Sequence, residues 1–540
     1  MRRVSRPQRA ARRRATITDV LLADVVATSA AVAATRSRLT KRELLAAALR
    51  SAADDGGPRA GDEVEVVAAF LSGRPRQRRT GVGWRSLTEL PPPAATPSLG
   101  VLDVDAALDT LAATAGTGSQ AARGTALAGL MAAATTDEQQ FLRRLLLGEL
   151  RQGALDSLLL DAVAAAADVP VTAVRRAAMF SALSGPIARA ALTGGDGALE
   201  SFRLEVGRPV RPMLASAAPD VLAAFAGFDG DAVAVDAKID GIRVQVHRHG
   251  DDVVVYTRSL EDVTDRLPEV VELARSLPVE AVVLDGEAIA LDPEGRPRAF
   301  QDTASRTGSR DGAALRGQVP LTTYLFDVLH LDGTDLIDAP ASERVAALGR
   351  TVPADALVRR MVTADPEEAS RFFADVVASG HEGVVVKSLE APYDAGRRGG
   401  AWVKVKPRHT LDLVVLAVER GSGRREGWLS NIHLGARVPG AGAEGTDGWV
   451  MLGKTFKGLS DEVLRWQTER FNELKVEDNG WVVTVRPEQV VEIAFDGVQR
   501  STRYPGGVAL RFARVFRYRD DKPVSEADTI QTVREYLKST

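Results

Sequence analysis

Cysteine is absent from all 540 residues. That absence excludes disulfides, zinc–thiolate sites and cysteine nucleophiles together, and it suits a reducing, cytoplasmic setting. No apolar run approaches membrane-spanning length, so no membrane partner is expected. An excess of one charge is missing too: 69 Lys and Arg stand against 72 Asp and Glu, for a net charge of −3. A polyanionic partner must therefore be argued from local charge. Lysine is the scarcest charged residue. Only ten of the 69 basic residues are Lys, and only Lys41 precedes Lys238. Codon bias toward Arg explains the scarcity but not the placement.

Five of the lysines fall in short, chemically legible strings: Lys238 in KIDGIR, Lys387 in EGVVVK, Lys404 and Lys406 in WVKVK, and Lys522 in RYRDDK. Arginine does not give up its proton and cannot serve as a nitrogen nucleophile. Lysine can, once its pKa is lowered.

The length suggests about three domains. Residues 1–15, MRRVSRPQRAARRRA, hold seven Arg and no acid. No apolar core follows, as a signal peptide would need. Residues 1–16 read as a disordered tail, with a basic arm on DNA phosphates as the alternative. Residues 17–205 are rich in Ala and Leu at helical spacing, broken at DDGGPRAGD, LPPPAATP and GGDG, and predict an all-α domain. The texture changes at RPVRPMLA. Strand signals follow: VAVDAKI, IRVQVHR, DDVVVYTRS, AVVLDGEAIAL, TTYLFDVLHL, GVVVK and AWVKVK. A helix is expected after Asp365, with Pro366 at its first position and Gly380 at its end. Residues 206–408 thus read as antiparallel-rich α+β. Five further strands and one helix, within 409–540, suit a small closed barrel of the OB type.

KIDG at 238–241 is a weak signal alone. Its weight comes from the ordered companions YTRSLE, LDGEAIA, YLFDVLHLDG, EGVVVK, WVKVK and LRFARVFRYRDDK. This set resembles the covalent nucleotidyltransferases, specifically ATP-dependent DNA ligases of bacterial, actinobacterial type. LRQGALDSLLLDAVA at 150–164 resembles the helical DNA-binding domain of the larger members. The resemblance implies a multidomain chain: an all-α N-terminal domain, an α+β nucleotidyltransferase domain with ATP-grasp-like antiparallel sheets, and a C-terminal β-barrel OB-fold. It implies ATP and Mg²⁺ as cofactors, nicked double-stranded DNA as partner, and action as a monomer.

Residue by residue, the resemblance makes Lys238 the nucleophile that takes AMP from ATP. Its amine must be neutral to attack, a state that nearby cations and partial burial favour. Asp236 would contact the adenine amino group and Phe326 would stack on the ring. Arg243 and Arg258 would lie near ribose and phosphates. Glu287, read as following an Asp-Gly turn, would hold the ribose and, with Glu382, the metal. Lys387, Lys404 and Lys406 would supply charge around the triphosphate, with Arg398 a further phosphate ligand and Arg397 the register alternative. Strand alternation sets Lys404 and Lys406 on one face. Arg511, Arg514, Arg517 and Arg519, before Asp520, Asp521 and Lys522, belong to a segment that would orient the leaving pyrophosphate. Lys454, Lys457 and RQRRTGVGW at 76–84 are weaker candidates for DNA backbone contacts. An RNA-capping guanylyltransferase shares the Lys motif but is not expected to carry the helical domain, and the same objection meets an RNA ligase. A non-catalytic DNA-binding scaffold would not need Lys238, Glu287, Glu382, Lys404 and Lys406 together. NAD-dependent ligases are disfavoured because their Cys-ligated zinc module is impossible here.

Overall fold

The computed structural model describes residues 19–55, 57–77, 79–152, 156–309, 312–396, 398–440 and 448–537. The tail reading at residues 1–16 lies outside them. The chain divides into two compact units after Pro212. The first unit carries RPVRP with it, since the Arg211 backbone N–H donates to Met179 O at 2.9 Å and its Nε to Ser181 O at 2.8 Å.

Among the described residues the first unit is helical, with helices at Leu22–Ala34, Arg38–Asp55, Ala60–Leu71, Val101–Ala113, Ser119–Ala133, Thr136–Leu146, Asp156–Ala167, Val171–Met179 and Gly185–Leu199. Leu22, Leu45, Leu49, Phe70 and Leu108 are fully buried in its core. Thr135 and Glu138 form a capping box at the start of Thr136–Leu146, satisfying donors that a helix start leaves open. GGDG interrupts the helical run as expected. It lies inside Gly185–Leu199 as a kink at Gly195, whose φ of +64° only glycine adopts cheaply. Arg76 in RQRRTGVGW is tied to Asp105 and, at 3.0 Å, to Asp109, so it braces the domain.

Among the described residues the second unit opens with ten strands: β1 Leu214–Ala218, β2 Val233–Lys238, β3 Ile242–His249, β4 Asp252–Thr257, β5 Ala281–Ala290, β6 Leu321–Leu331, β7 Thr334–Asp335, β8 Arg360–Thr363, β9 Gly383–Ser388 and β10 Arg398–Val405. They form two sheets, β1-β10-β9-β2-β8 and β4-β3-β5-β6-β7. All pairs are antiparallel except β1 with β10. The near-continuous burial of β2 and β5 reflects sheets covered on both faces. Asp365 caps the helix Pro366–Ala378 by accepting from the Glu367 N–H at 2.8 Å, and Gly380 beyond it has φ +87°.

Asp285-Gly286 is not the turn read from sequence. It sits within β5 at a register shift against β6. A Cβ at Gly286 would lie 2.7 Å from Tyr324 O, so glycine is there for close backbone approach.

The C-terminal part adds β11 His409–Arg420, β12 Leu429–Arg437, β13 Trp449–Thr455, β14 Lys475–Asp478, β15 Val482–Val485, β16 Val490–Phe495, β17 Gly497–Arg500, β18 Val508–Arg511 and β19 Arg514–Tyr518, with the helix Asp461–Glu473. β13-β12-β11-β15-β14 form the sheet path, while β16 pairs with both β11 and β19. The expected single strand ALRFARVFRY breaks into β18 and β19 at Phe512, whose φ is +55°, a left-handed turn no strand continues through. Short β14 and β15 carried too little alternation to be read. Among the described residues no helix is long and apolar enough to cross a membrane.

Candidate active site

A cavity of about 1090 Å³ lies in the second unit, walled by β2, β3, β5, β6, β9 and β10, with β18, Phe512 and Arg514 contributed by the barrel. Asp236, Lys238, Arg243, Arg258, Glu287, Phe326, Glu382, Lys387, Lys404 and Lys406 all line it. Residues spread over 170 positions of sequence are thus gathered in one cleft. Arg398 opens β10 opposite Leu214, but its side chain lies outside what is described, as does Arg397.

One end of the cleft is aromatic. The Phe326 and Trp402 rings meet edge-on, centroids 6.0 Å apart. Lys387 Nζ stands 4.5 Å and 4.2 Å from these centroids, a cation–π placement. It also pairs with Asp236 Oδ2 at 2.6 Å. Asp236 is held from the other side by Arg360 Nε and, at 2.7 Å, Nη2. Burial disfavours the Asp236 charge, yet Lys387 and Arg360 outweigh it and keep its pKa below the ordinary carboxylate value. Lys387 therefore lies against the two rings of the aromatic end. Arg243 is also committed. Its Nε and Nη2 grip Asp285 at 2.9 Å and 2.5 Å, and Nη1 donates to Met213 O at 2.7 Å. Tyr393 completes this hub by donating to Asp285 Oδ2 at 2.6 Å.

The other end is ionic. Lys238, last residue of β2, pairs with Glu382 Oε2, and Lys406 pairs with Glu382 Oε1. The sequence reading surrounds Lys238 with cations. Its direct partner is instead this carboxylate, with the Lys406 cation on the carboxylate's far oxygen. Gly383 makes the arrangement possible. It pairs with Lys238 across the strands, has φ +138°, and a Cβ there would strike Val405 O at 2.2 Å. Burial opposes the Glu382 charge, but Lys238 and Lys406 lower its pKa overall. Burial dominates at Glu287 and pushes its carboxyl up to about 7 against the pull of Lys238 and Arg243. Arg258 is exposed at the rim.

The C-terminal basic segment divides. Arg511 grips Asp240 of KIDG at 2.6 Å and 3.2 Å, and Arg514 lines the cavity. Arg517 turns to Glu492 at 2.7 Å, Arg519 to Asp412 at 3.2 Å and Lys522 to Asp412 at 2.7 Å. Their contacts are thus within the barrel, whose carboxylates compete for them. Lys454 pairs with Glu419 on the barrel, whereas Lys457 joins the cavity lining.

Sequence reasoning missed Trp402, Arg360, Tyr393 and Asp496. Trp402 shares the alternation of Lys404 and Lys406 and could have been found by it. Arg360 offered no signal among so many arginines. Among the described residues no three His, Asp or Glu side chains gather as a ready-made metal cage. Mg²⁺ needs no such cage, since one or two carboxylates with substrate phosphates and water suffice. Glu382 and Glu287, facing one cavity, fit that requirement.

Two sheets with a cleft between them, closed by a docked barrel, are the architecture of a nucleotidyltransferase joined to an OB-like domain. Three family models match in order: "DNA ligase N terminus" over residues 59–164, "ATP dependent DNA ligase domain" over 212–406 and "ATP dependent DNA ligase C terminal region" over 425–522. A "Probable DNA ligase" of Nocardioides sp. is 63% identical, covering 96% of this chain and 99% of the relative. That of Beutenbergia cavernae is 61% identical over 95% and 99%. The solved structure "Pmar-Lig_Pre." shares the fold at 18% identity and a TM-score of 0.58, covering 92% of this chain and 99% of its own. The chain belongs to the ATP-dependent DNA ligase family.

Proposed function

We propose that this chain seals nicks in duplex DNA in three transfers, with Lys238 as the covalent carrier. Lys238 Nζ attacks the α-phosphorus of ATP, a P–N bond forms, the bond to pyrophosphate breaks, and the amine proton is released. The 5′-phosphate at a nick then attacks that phosphorus, freeing Lys238 and forming a DNA-adenylate. The 3′-hydroxyl attacks the nick phosphorus, loses its proton, and AMP departs. The observation that carries this reading is a strand-end Lys in a cleft with an aromatic floor at one end and paired cations at the other.

Phe326 offers a flat face to adenine, with buried Trp402 edge-on to it and the Asp236–Arg360–Lys387 knot holding both rings in place. Lys404 and Lys406 bring positive charge to the phosphates where charge develops. Before attack, the Lys238–Glu382 ion pair must open and the amine must shed its proton. Mg²⁺, held by Glu382 and Glu287, would neutralise phosphate charge during transfer. Action as a monomer in the cytoplasm is part of the same proposal, and the Cys-free composition suits that compartment. Incubation with α-labelled ATP and Mg²⁺ should label the protein, and Lys238→Ala should reduce label to background. Labelling that persists in that variant would move the nucleophile elsewhere. Nick sealing compared with ATP, GTP and NAD should proceed with ATP alone.

A further inference from the structure

Lys406 is held by two carboxylates from different domains. Glu382 belongs to the nucleotidyltransferase sheets. Asp496, at the end of β16, comes from the barrel, and its Oδ2 lies 3.0 Å from Lys406 Nζ. Two further contacts accompany this one. Arg511 of the barrel grips Asp240, two residues from the nucleophile, and Gln301 exchanges hydrogen bonds with the Arg500 backbone at 3.0 Å and 3.2 Å. The chain Lys238–Glu382–Lys406–Asp496 therefore runs from the nucleophile into the barrel.

We infer that Asp496 is a positioning residue for lysine adenylation alone: it fixes Lys406 beside the nucleophile only while the barrel is docked. The inference rests on the covalent-transfer reading above. A Lys side chain has four rotatable carbon–carbon bonds and loses much freedom when fixed. Glu382 alone leaves Lys406 one anchor, shared with Lys238. The Asp496 anchor holds the ammonium on the barrel side of the cleft, which both residues line. A cavity of about 1090 Å³ accepts a nucleotide but not a duplex with a nick, so the DNA steps need the barrel moved aside. With the barrel moved, Asp496 is no longer on Lys406.

The test separates the steps. Full-length wild type and Asp496→Asn are compared for the rate of covalent labelling by α-labelled ATP and for sealing of a nick that already carries AMP on its 5′-phosphate. Asn keeps the shape but loses the charge. Labelling should slow about tenfold, the loss expected of one partly exposed charge-assisted hydrogen bond, while sealing of the adenylated nick stays within about twofold. Asp496→Glu should recover part of the labelling rate. Equal loss in both assays would show a general structural role and overturn the inference, as would labelling at the wild-type rate. Failure of wild type itself to take label would overturn the covalent reading instead.

Discussion

The two ends of the cleft are built by opposite means. At the aromatic end, Asp236 and Lys387 are buried with a half-buried Arg360, and Asp236 is only 2% exposed. Every member comes from the nucleotidyltransferase sheets, so this end exists whatever the barrel does. At the ionic end, Lys238 and Lys406 remain 24% and 22% exposed, and Asp496 and Arg511 are supplied by the barrel. On the proposed function, a fixed seat for the base is thus joined to a phosphate end completed on domain docking. Rigid recognition is placed where the ligand is the same at each binding event, and movable charge where bonds are made and broken.

Three substitutions break this contrast in different places. Asp236→Ala has the largest effect on stability. It strands the buried Lys387 and the half-buried Arg360, and urea unfolding should show a loss of about 3–5 kcal/mol. A loss under about 1 kcal/mol would mean that the aromatic end is not a fixed seat.

Glu287 comes next, through pH. Burial raises its carboxyl from 4.5 to about 7 in the folded chain. The folded state then binds this proton more tightly than the unfolded one, so its contribution to stability is whole below about pH 4.5 and is lost as pH rises through about 7. Glu287→Gln should remove that slope and be more stable than wild type above pH 7, by up to about 3 kcal/mol. Parallel stability–pH curves for the two proteins would refute it.

Glu382→Ala should change stability least, by about 1 kcal/mol or less, because Lys238 and Lys406 are open enough to be rehydrated. Nick sealing should nevertheless be lost. Sealing at the wild-type rate would remove Glu382 from the chemistry.

Much of the strand order was legible because Val-rich alternation and Asp-Gly or Gly turns are local signals, as in VAVDAKI and IRVQVHR. The nucleophile and its companions were legible through their strings. What was hidden is long-range pairing. Asp236 and Arg360 are 124 positions apart, and Tyr393 and Asp285 are 108 apart. No periodicity encodes such partners. The same limit explains Lys387. Its string showed that a charge was wanted but not that β9 would turn it under two rings. The splitting of the C-terminal basic segment was equally hidden, because Asp412 and Glu492 that capture Arg517, Arg519 and Lys522 look like ordinary strand acids.

The Glu382 clasp on Lys238 also bears on what the protein meets between turnovers. An ammonium has no lone pair to give. While the clasp holds, the Glu382 carboxylate covers one side of Lys238 Nζ, and a small electrophile entering the cleft meets that oxygen as well as the nitrogen. On the proposed reading, the contact that must open for adenylation is thus also a cover over the nitrogen that carries the nucleotide.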